Sequence, residues 1–295
     1  MRIAIIGANG QLGCDLVRVF SDDHHDVLAL THAEIEISNL ESVRRSIGTA
    51  SPDLVINTAA MHHVENCEKD PAAAYAVNAL GARNLAQVTR ELGAALLHVS
   101  TDYVFDGAKN TPYTEDDLPL PLNVYGNSKL AGEYYVRTLN PRHFVVRTSG
   151  LYGQHRCRAK GGQNFVDRML ELARTRGQVR VVADEFVSPT STLELSRQIL
   201  KLSTCEAYDL YHATSEGSCS WYEFAREIFS LTEIPVKLEA AAPGEFPAKT
   251  PRPAYSVLEN ARLKRLGINL FSSWQEGLRQ YLVTSRQASV AEVAS

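Results

Sequence analysis

Arg2-Ile3-Ala4-Ile5-Ile6-Gly7-Ala8-Asn9-Gly10-Gln11-Leu12-Gly13 is the stretch whose reading decides the fold. The apolar run up to Ile6 fits a strand or a helix by itself. The next residues resolve it: three glycines, then Leu12, Leu16, Val17, Val19 and Phe20 at helical spacing. Strand, glycine turn and helix in that order are the context in which such glycines mark a dinucleotide site. Gly7 permits the tight turn, Gly10 lets the backbone approach a pyrophosphate, and Gly13 allows the helix to pack closely on the strand. Asn9 lies in the turn, and Gln11 and Leu12 open a helix whose unpaired N–H groups favour an anion.

Two further strand–helix units come next. Val27–Leu30 reads as the second strand and Asp53–Ile56 as the third. The second ends in Thr31-His32, which offers neither an acid for a ribose 2′-hydroxyl nor an immediate arginine for a 2′-phosphate, so NAD and NADP remain equal expectations. Arg44 and Arg45 read as a solvated helix face. After the third strand, Asn57-Thr58-Ala59-Ala60-Met61 is small enough for a cofactor to lie against Ala59, Ala60 and Met61. Asp70-Pro71 starts a long helix that Gly93 ends. Within it, Asn78 sits among apolar neighbours and is expected to brace an interior backbone group.

The fourth strand, Ala95–Val99, delivers Ser100-Thr101-Asp102-Tyr103-Val104-Phe105-Asp106-Gly107 to the carboxyl end of the sheet, where such folds bind ligands. A Pro-rich loop leads to Tyr125-Gly126-Asn127-Ser128-Lys129 in a helical stretch. Tyr125 and Lys129, four residues apart, share one helix face. A tyrosine is a poor acid–base catalyst at neutral pH, and a neighbouring ammonium is expected to lower its pKa.

The chain has 295 residues, 44% hydrophobic and 22% charged, with a net charge of -4. That composition suits a globular protein with a substantial core and offers no basic field for nucleic acid. No apolar run approaches the roughly 18–20 residues that cross a membrane, and Met1 leads into the first strand without a signal-peptide pattern. Five scattered cysteines without a C-x-x-C pair read as reduced thiols, so the expected compartment is the cytoplasm. His62, His63, Glu65 and Cys67 are not spaced as a tetrahedral metal set, and no metal is assigned.

These elements, in this order, make the chain resemble the extended short-chain dehydrogenases/reductases and, among them, the dTDP-4-dehydrorhamnose reductases. The G-x-x-G-x-x-G turn, Pro52–Ala60, Ser100–Gly107 and Pro121–Glu133 carry the likeness. It continues through Asn164-Phe165-Val166, Ser188-Pro189-Thr190, Tyr211-His212, Ser220–Ala225 and Arg252-Pro253. The resemblance implies Thr101, Tyr125 and Lys129 as the catalytic set. It implies cofactor contacts at Gly10, Gln11, Leu12, Ala59, Ala60, Tyr125 and Lys129, and substrate contacts at Thr101, Asp102, Tyr125, Asn164 and Arg252. The implied reaction is reduction of the 4-keto group of a nucleotide-linked 4-keto-6-deoxyhexose by NADPH or NADH, by a monomer or homodimer. A nucleotide-sugar epimerase or dehydratase is the alternative enzyme; a dehydratase needs an acidic pair after the catalytic Thr, and Tyr103 occupies its second place. A non-catalytic regulatory subunit, like the methionine adenosyltransferase β-subunit, is the alternative from another class. One departure stands out: Arg147-Thr148-Ser149-Gly150-Leu151-Tyr152-Gly153 has Gly150 where the family pattern has Trp. Tyr152 and Trp221 are the candidates to compensate.

The expected fold is α/β, a Rossmann-type doubly wound parallel sheet with a smaller, interleaved C-terminal substrate-binding region. Residues 1–150 form the dinucleotide-binding domain, 178–205 return to it, and 151–177 with 206–295 are mainly substrate-binding. Gln178–Val182 reads as a strand and Thr190–Leu202 as a helix. His155–Gly162 and Ala241–Tyr255 read as loops walling a cleft, with Arg156, Arg158, Lys160, Lys249 and Arg252 as positive charge for a nucleoside diphosphate. Trp221, Phe224 and Phe229 read as core. Gln287–Ser295 is expected to fray.

Overall fold

A computed structural model describes residues 1–155, 162–242, 244–246 and 249–293, with side chains to residue 285. Arg156, Arg158 and Lys160 lie outside the described residues. The expected strands form: β1 (Arg2–Ile6), β2 (Asp26–Leu30), β3 (Leu54–Asn57) and β4 (Ala95–Thr101), and β5 (His143–Thr148) follows them. A sixth strand, Asp209–His212, adds to the edge beyond β5, and every pairing in this sheet is parallel. From that edge the order is sixth, β5, β4, β3, β1, β2, so the winding reverses at β1. The crevice outside the carboxyl ends of β1 and β3 is the topological switch point where ligands bind in such sheets.

Both faces of the sheet are covered, which explains why its strands read as continuous apolar runs. Ile3 and Ile5 point into one core with Leu12, Leu16 and Phe20 of α1 (Gln11–Asp22). Ala4 and Ile6 point into the other, with Val43 and Ile47 of α2 (Leu40–Gly48). The helix Thr192–Ser203 returns to the first of these cores through Leu195, Ile199 and Leu202.

Gln178–Val181 does form a strand, but it pairs in parallel with Lys237–Ala240 and does not join the main sheet. Its alternation is the physical reason: Val179 and Val181 are buried while Gln178 and Arg180 are exposed, a pattern for a sheet with one wet face. Those valines help build a third core with Tyr152, Phe224, Phe229 and Trp274. The C-terminal helix runs Trp274–Val293 and includes most of the segment expected to fray.

The long helix after Asp70 is interrupted. α3 (Val64–Lys69) and α4 (Pro71–Tyr75) lead to a π-helical stretch, Ala76–Gly81, before α5 (Ala82–Leu92). Gly93 then ends α5 in the left-handed conformation, φ 68°. Asn78 lies in the π-helical stretch, and its amide clasps the loop after β3. Oδ1 accepts from Met61 N–H at 2.9 Å, and Nδ2 donates to Met61 C=O and to Ser128 Oγ, each at 2.9 Å. The bracing role is the one expected.

Helix α6 (Val124–Leu139) carries Tyr125 and Lys129, and four residues on from Lys129 it carries Glu133. Asn123 caps it, accepting from Gly126 N–H at 2.9 Å. A Cβ on Gly126 would sit 2.2 Å from the Tyr103 carbonyl oxygen, so this crossing admits only glycine. Glu133 is buried and takes three hydrogen bonds from Arg147 of β5, Nε–Oε1 at 2.9 Å, Nε–Oε2 at 3.2 Å and Nη2–Oε2 at 2.6 Å. Ser100 of β4 adds a fourth at 2.5 Å. Removing one partner of such a pair leaves an unpaired buried charge. Glu133→Ala is expected to lower the unfolding free energy by about 3–5 kcal/mol in urea titration; a loss near zero would show that the pair does not secure the helix.

Candidate active site

The first turn forms a cradle. Gly7 N–H and Ala8 N–H bond the Leu30 carbonyl, and Gly10 N–H closes on Gly7 C=O at 2.9 Å. Gly10 caps α1 without a side chain, leaving the N–H groups of Gln11, Leu12 and Gly13 at the helix start without intrahelical acceptors. A Cβ on Gly13 would lie 2.1 Å from the Gly7 carbonyl oxygen. The helix therefore comes as near β1 as backbone allows, and the donor set with its positive dipole end fits a pyrophosphate. Asn9 is exposed at the lip, whereas the Leu12 side chain is buried in the core and leaves only its backbone to a ligand. Gln11 reaches back to the His155 carbonyl at 3.2 Å.

Ala59, Ala60 and Met61 line the neighbouring strand end, each half-buried. Thr31 at the end of β2 is occupied by Glu34, whose carboxylate accepts from its N–H at 2.8 Å and from its hydroxyl. Arg44 pairs with Glu41 and Glu91, as a solvated face would.

Thr101 ends β4 and caps the single turn Asp102–Val104, its Oγ1 accepting from Tyr103 N–H at 3.2 Å. The phenol of Tyr125 faces the Thr101 hydroxyl, with Asp102 and Cys67 nearby. Burial is the dominant influence on this phenol and pushes its pKa up; the neighbouring Thr101 hydroxyl opposes that shift. The expectation that Lys129 lowers the tyrosine is therefore corrected. The lysine amine turns away to β4, donating to the Val99 carbonyl at 2.7 Å and meeting His98 Nε2 at 3.2 Å. Burial in turn brings Lys129 down to about 8 from 10.5, against the pull of Glu133.

The substrate residues are divided. Asp102 is buried and accepts from Ser149 Oγ at 2.9 Å and from Thr101 at 3.1 Å, so its carboxylate serves the walls of the site. Burial raises its pKa. Asn164 caps the helix Phe165–Arg176 in a reciprocal pair with Asp167, and its amide donates to Gly153 C=O at 3.0 Å and to Tyr281 Oη at 3.2 Å. Arg252 lies by the mouth, held to Glu65 at 2.5 Å, with its Nε buried and without a partner. That orphaned donor is free for a further acceptor. Lys249 is exposed. The ring of Tyr103 meets that of Tyr125 edge-on, centroids 5.8 Å apart.

Gly150 adopts φ 56°, and a Cβ there would meet Pro189 Cα at 3.1 Å. Neither candidate replaces the missing indole. Tyr152 is wholly buried against Phe224 and Tyr281, and Trp221 packs on Phe165 in the third core. Phe224 and Phe229 are core, as expected. Near the tempting His62–Cys67 segment, His63 lies 3.4 Å from Glu65, and the Cys67 thiol donates to the Met61 carbonyl. Among the described residues no three His, Cys, Asp or Glu side chains converge on a point.

Sequence reasoning misses two buried residues, His98 against Lys129 and Asn57 behind His98. The only local signal is a histidine inside an otherwise apolar strand.

The RmlD substrate binding domain family matches residues 1–287. The chain is 40% identical to the spore coat polysaccharide biosynthesis protein SpsK of Bacillus subtilis, over 95% of this chain and 96% of that one. It is 37% identical to a dTDP-4-dehydrorhamnose reductase of Sinorhizobium fredii, with the same coverage. The structure of a dTDP-4-dehydrorhamnose reductase from Bacillus anthracis in complex with NADP superposes with a TM-score of 0.91. That relative is 38% identical, with 96% of this chain and 99% of that one covered. A UDP-glucose 4-epimerase of Thermus thermophilus, 19% identical with a TM-score of 0.81, shares the fold. The chain belongs to the RmlD substrate-binding-domain family, on the Rossmann-like scaffold of the extended short-chain dehydrogenases/reductases.

Proposed function

We propose that this chain is an NAD(P)H-dependent oxidoreductase that reduces the 4-keto group of a dTDP-linked 4-keto-6-deoxyhexose, dTDP-4-dehydrorhamnose to dTDP-rhamnose. The observation that carries the reading is the Tyr125 phenol, on the same helix as Lys129, facing the Thr101 hydroxyl at the carboxyl end of β4, next in the sheet to the strand leading into the Ala59–Met61 loop. Relatives named as dTDP-sugar reductases at 35–40% identity over nearly the whole chain support it.

Gly7, Asn9, Gly10, Gln11, Leu12 and Gly13 hold the pyrophosphate through backbone donors, and Ala59, Ala60 and Met61 lie along the dinucleotide. The reduced nicotinamide, when bound, supplies the hydride that the sugar C4 accepts. Tyr125 gives its proton to the oxygen on C4 as negative charge develops there. Its raised pKa keeps that proton in place until a more basic oxygen appears. Thr101 hydrogen-bonds the same oxygen, meeting charge where it forms. Lys129 holds the nicotinamide ribose hydroxyls. Arg252, with its spare buried N–H, takes the substrate diphosphate. Asp102 and Asn164 act behind the site, shaping the turn after β4 and the start of the helix Phe165–Arg176.

The dinucleotide-binding unit is residues 1–150 with Thr192–Ser203 and Asp209–His212 returned to it; the remainder mainly walls the substrate side. No helix of the described residues is long and apolar enough to cross a membrane. We place the enzyme in the cytoplasm as a monomer or homodimer needing no metal and no nucleic-acid partner.

Tyr125→Phe is expected to lower kcat about 100-fold or more, with affinity for NADPH kept within about threefold by fluorescence titration. Full activity in that variant would remove Tyr125 from the acid role. Gly13→Ala is expected to weaken NADPH binding at least about tenfold, because its methyl occupies the space of the Gly7 carbonyl; unchanged binding would place the cofactor elsewhere. An epimerase would interconvert the nucleotide-sugar with no net loss of NADPH absorbance, and that result would overturn the reductase reading.

A further inference from the structure

A chain of hydrogen bonds runs from the loop after β3 to Lys129 on the face of the sheet that α6 covers. Ala59 N–H donates to Asn57 Oδ1 at 3.1 Å; Asn57 Nδ2 meets His98 Nδ1 at 3.0 Å; His98 Nε2 meets Lys129 Nζ at 3.2 Å. Asn57 and His98 are each 1% exposed and Lys129 2%, so the two links at the imidazole are buried from water. The direction of the chain is set by its first link. A backbone N–H can only donate, which fixes the Asn57 amide with its oxygen toward Ala59 and its NH₂ toward the ring. His98 Nδ1 must then accept. A neutral imidazole with a bare Nδ1 carries its proton on Nε2, and that proton points at Lys129. An imidazolium would set Nδ1–H against the amide NH₂, and burial already holds His98 well below its ordinary pKa. An ammonium has three donors and no acceptor, so only the free amine can receive this bond while donating to the Val99 carbonyl.

We propose that Asn57 and His98 are positioning residues that hold Lys129 as an uncharged amine in the ligand-free enzyme. The inference rests on the reading of Lys129 as a cofactor-binding group, and its direct tests need neither substrate nor turnover. The other groups facing the amine fit it. Glu133 of α6 favours the ammonium, but its carboxylate is taken up by Arg147 of β5 and Ser100 of β4. Tyr125, one turn back on α6, is directed to Thr101. With Lys129 already brought to about 8 by burial, the amine near neutral pH lies within about tenfold of the ammonium, a gap that a buried hydrogen bond covers. Lys129 then meets a dinucleotide as a neutral hydrogen-bonding group able to take up a proton as the site fills.

The tautomer is read by 15N NMR of the ligand-free protein labelled at histidine, with His98→Gln assigning the signal. The expected pattern is Nε2 protonated and Nδ1 bare; a protonated Nδ1 overturns the proposal. A second test tracks Lys129 by 13C NMR of labelled lysine across pH. Asn57→Asp accepts from Nδ1–H, turns the ring's proton over and leaves Nε2 as an acceptor for an ammonium. The titration midpoint of Lys129 is expected to rise by about one pH unit or more in that variant, and an unchanged midpoint contradicts the role. Should Asn57→Asp fail to fold, the tautomer in the native protein decides alone.

Discussion

Glu133, shared between Arg147 of β5 and Ser100 of β4, is the contact on which the site depends. It sits eight residues after Tyr125 and four after Lys129, so the three side chains form one stripe of α6. Fixing the last of them against two central strands aims the first two at the carboxyl end of β4. The net worth of a buried ion pair is small once desolvation is counted, yet losing half of it is costly. Its value here is direction: a one-residue slip of α6 would swing Tyr125 away from Thr101. The glycine at Gly126 serves the same end by letting the start of the helix touch the Tyr103 carbonyl.

Much of this is written locally in the chain. The glycine turn before α1, the apolar strands and the Tyr125–Lys129 spacing each depend on residues within a few positions of one another, so periodicity and turn chemistry disclose them. The braced loop at Met61 is foreshadowed by a polar Asn78 among apolar neighbours. Partners far apart in the chain are not legible in this way. Glu133 finds Arg147 14 residues on and Ser100 33 back; His98 finds Lys129 31 residues on. No pattern of short period carries such pairings.

The departures from expectation have the same origin. Tyr125 and Lys129 share a face, but helical spacing does not say where an amine at the end of a long side chain will go. The strand edge offers it a carbonyl and an imidazole, and it takes them. Asn164 stands in a stretch that resembles relatives, which suggests a substrate contact, while its amide is spent on a helix cap and on Gly153. The Gln178–Val181 segment is legible as a strand, but its partner is Lys237–Ala240 and not the nucleotide-binding sheet. Its alternation is visible in the sequence and points to a small sheet with one wet face.

The central claim is that a carbonyl carbon is reduced beside Tyr125 by a dinucleotide held on the first turn. The most direct measurement uses NADPH deuterated at the transferable C4 position of the nicotinamide, with dTDP-4-dehydrorhamnose and the purified protein, and locates the label by NMR of the sugar. The account predicts one deuterium on sugar C4 for each NADPH consumed, with the hydroxyl proton drawn from solvent. NADPH consumed with the label absent from C4, or no consumption while the cofactor binds, would contradict it.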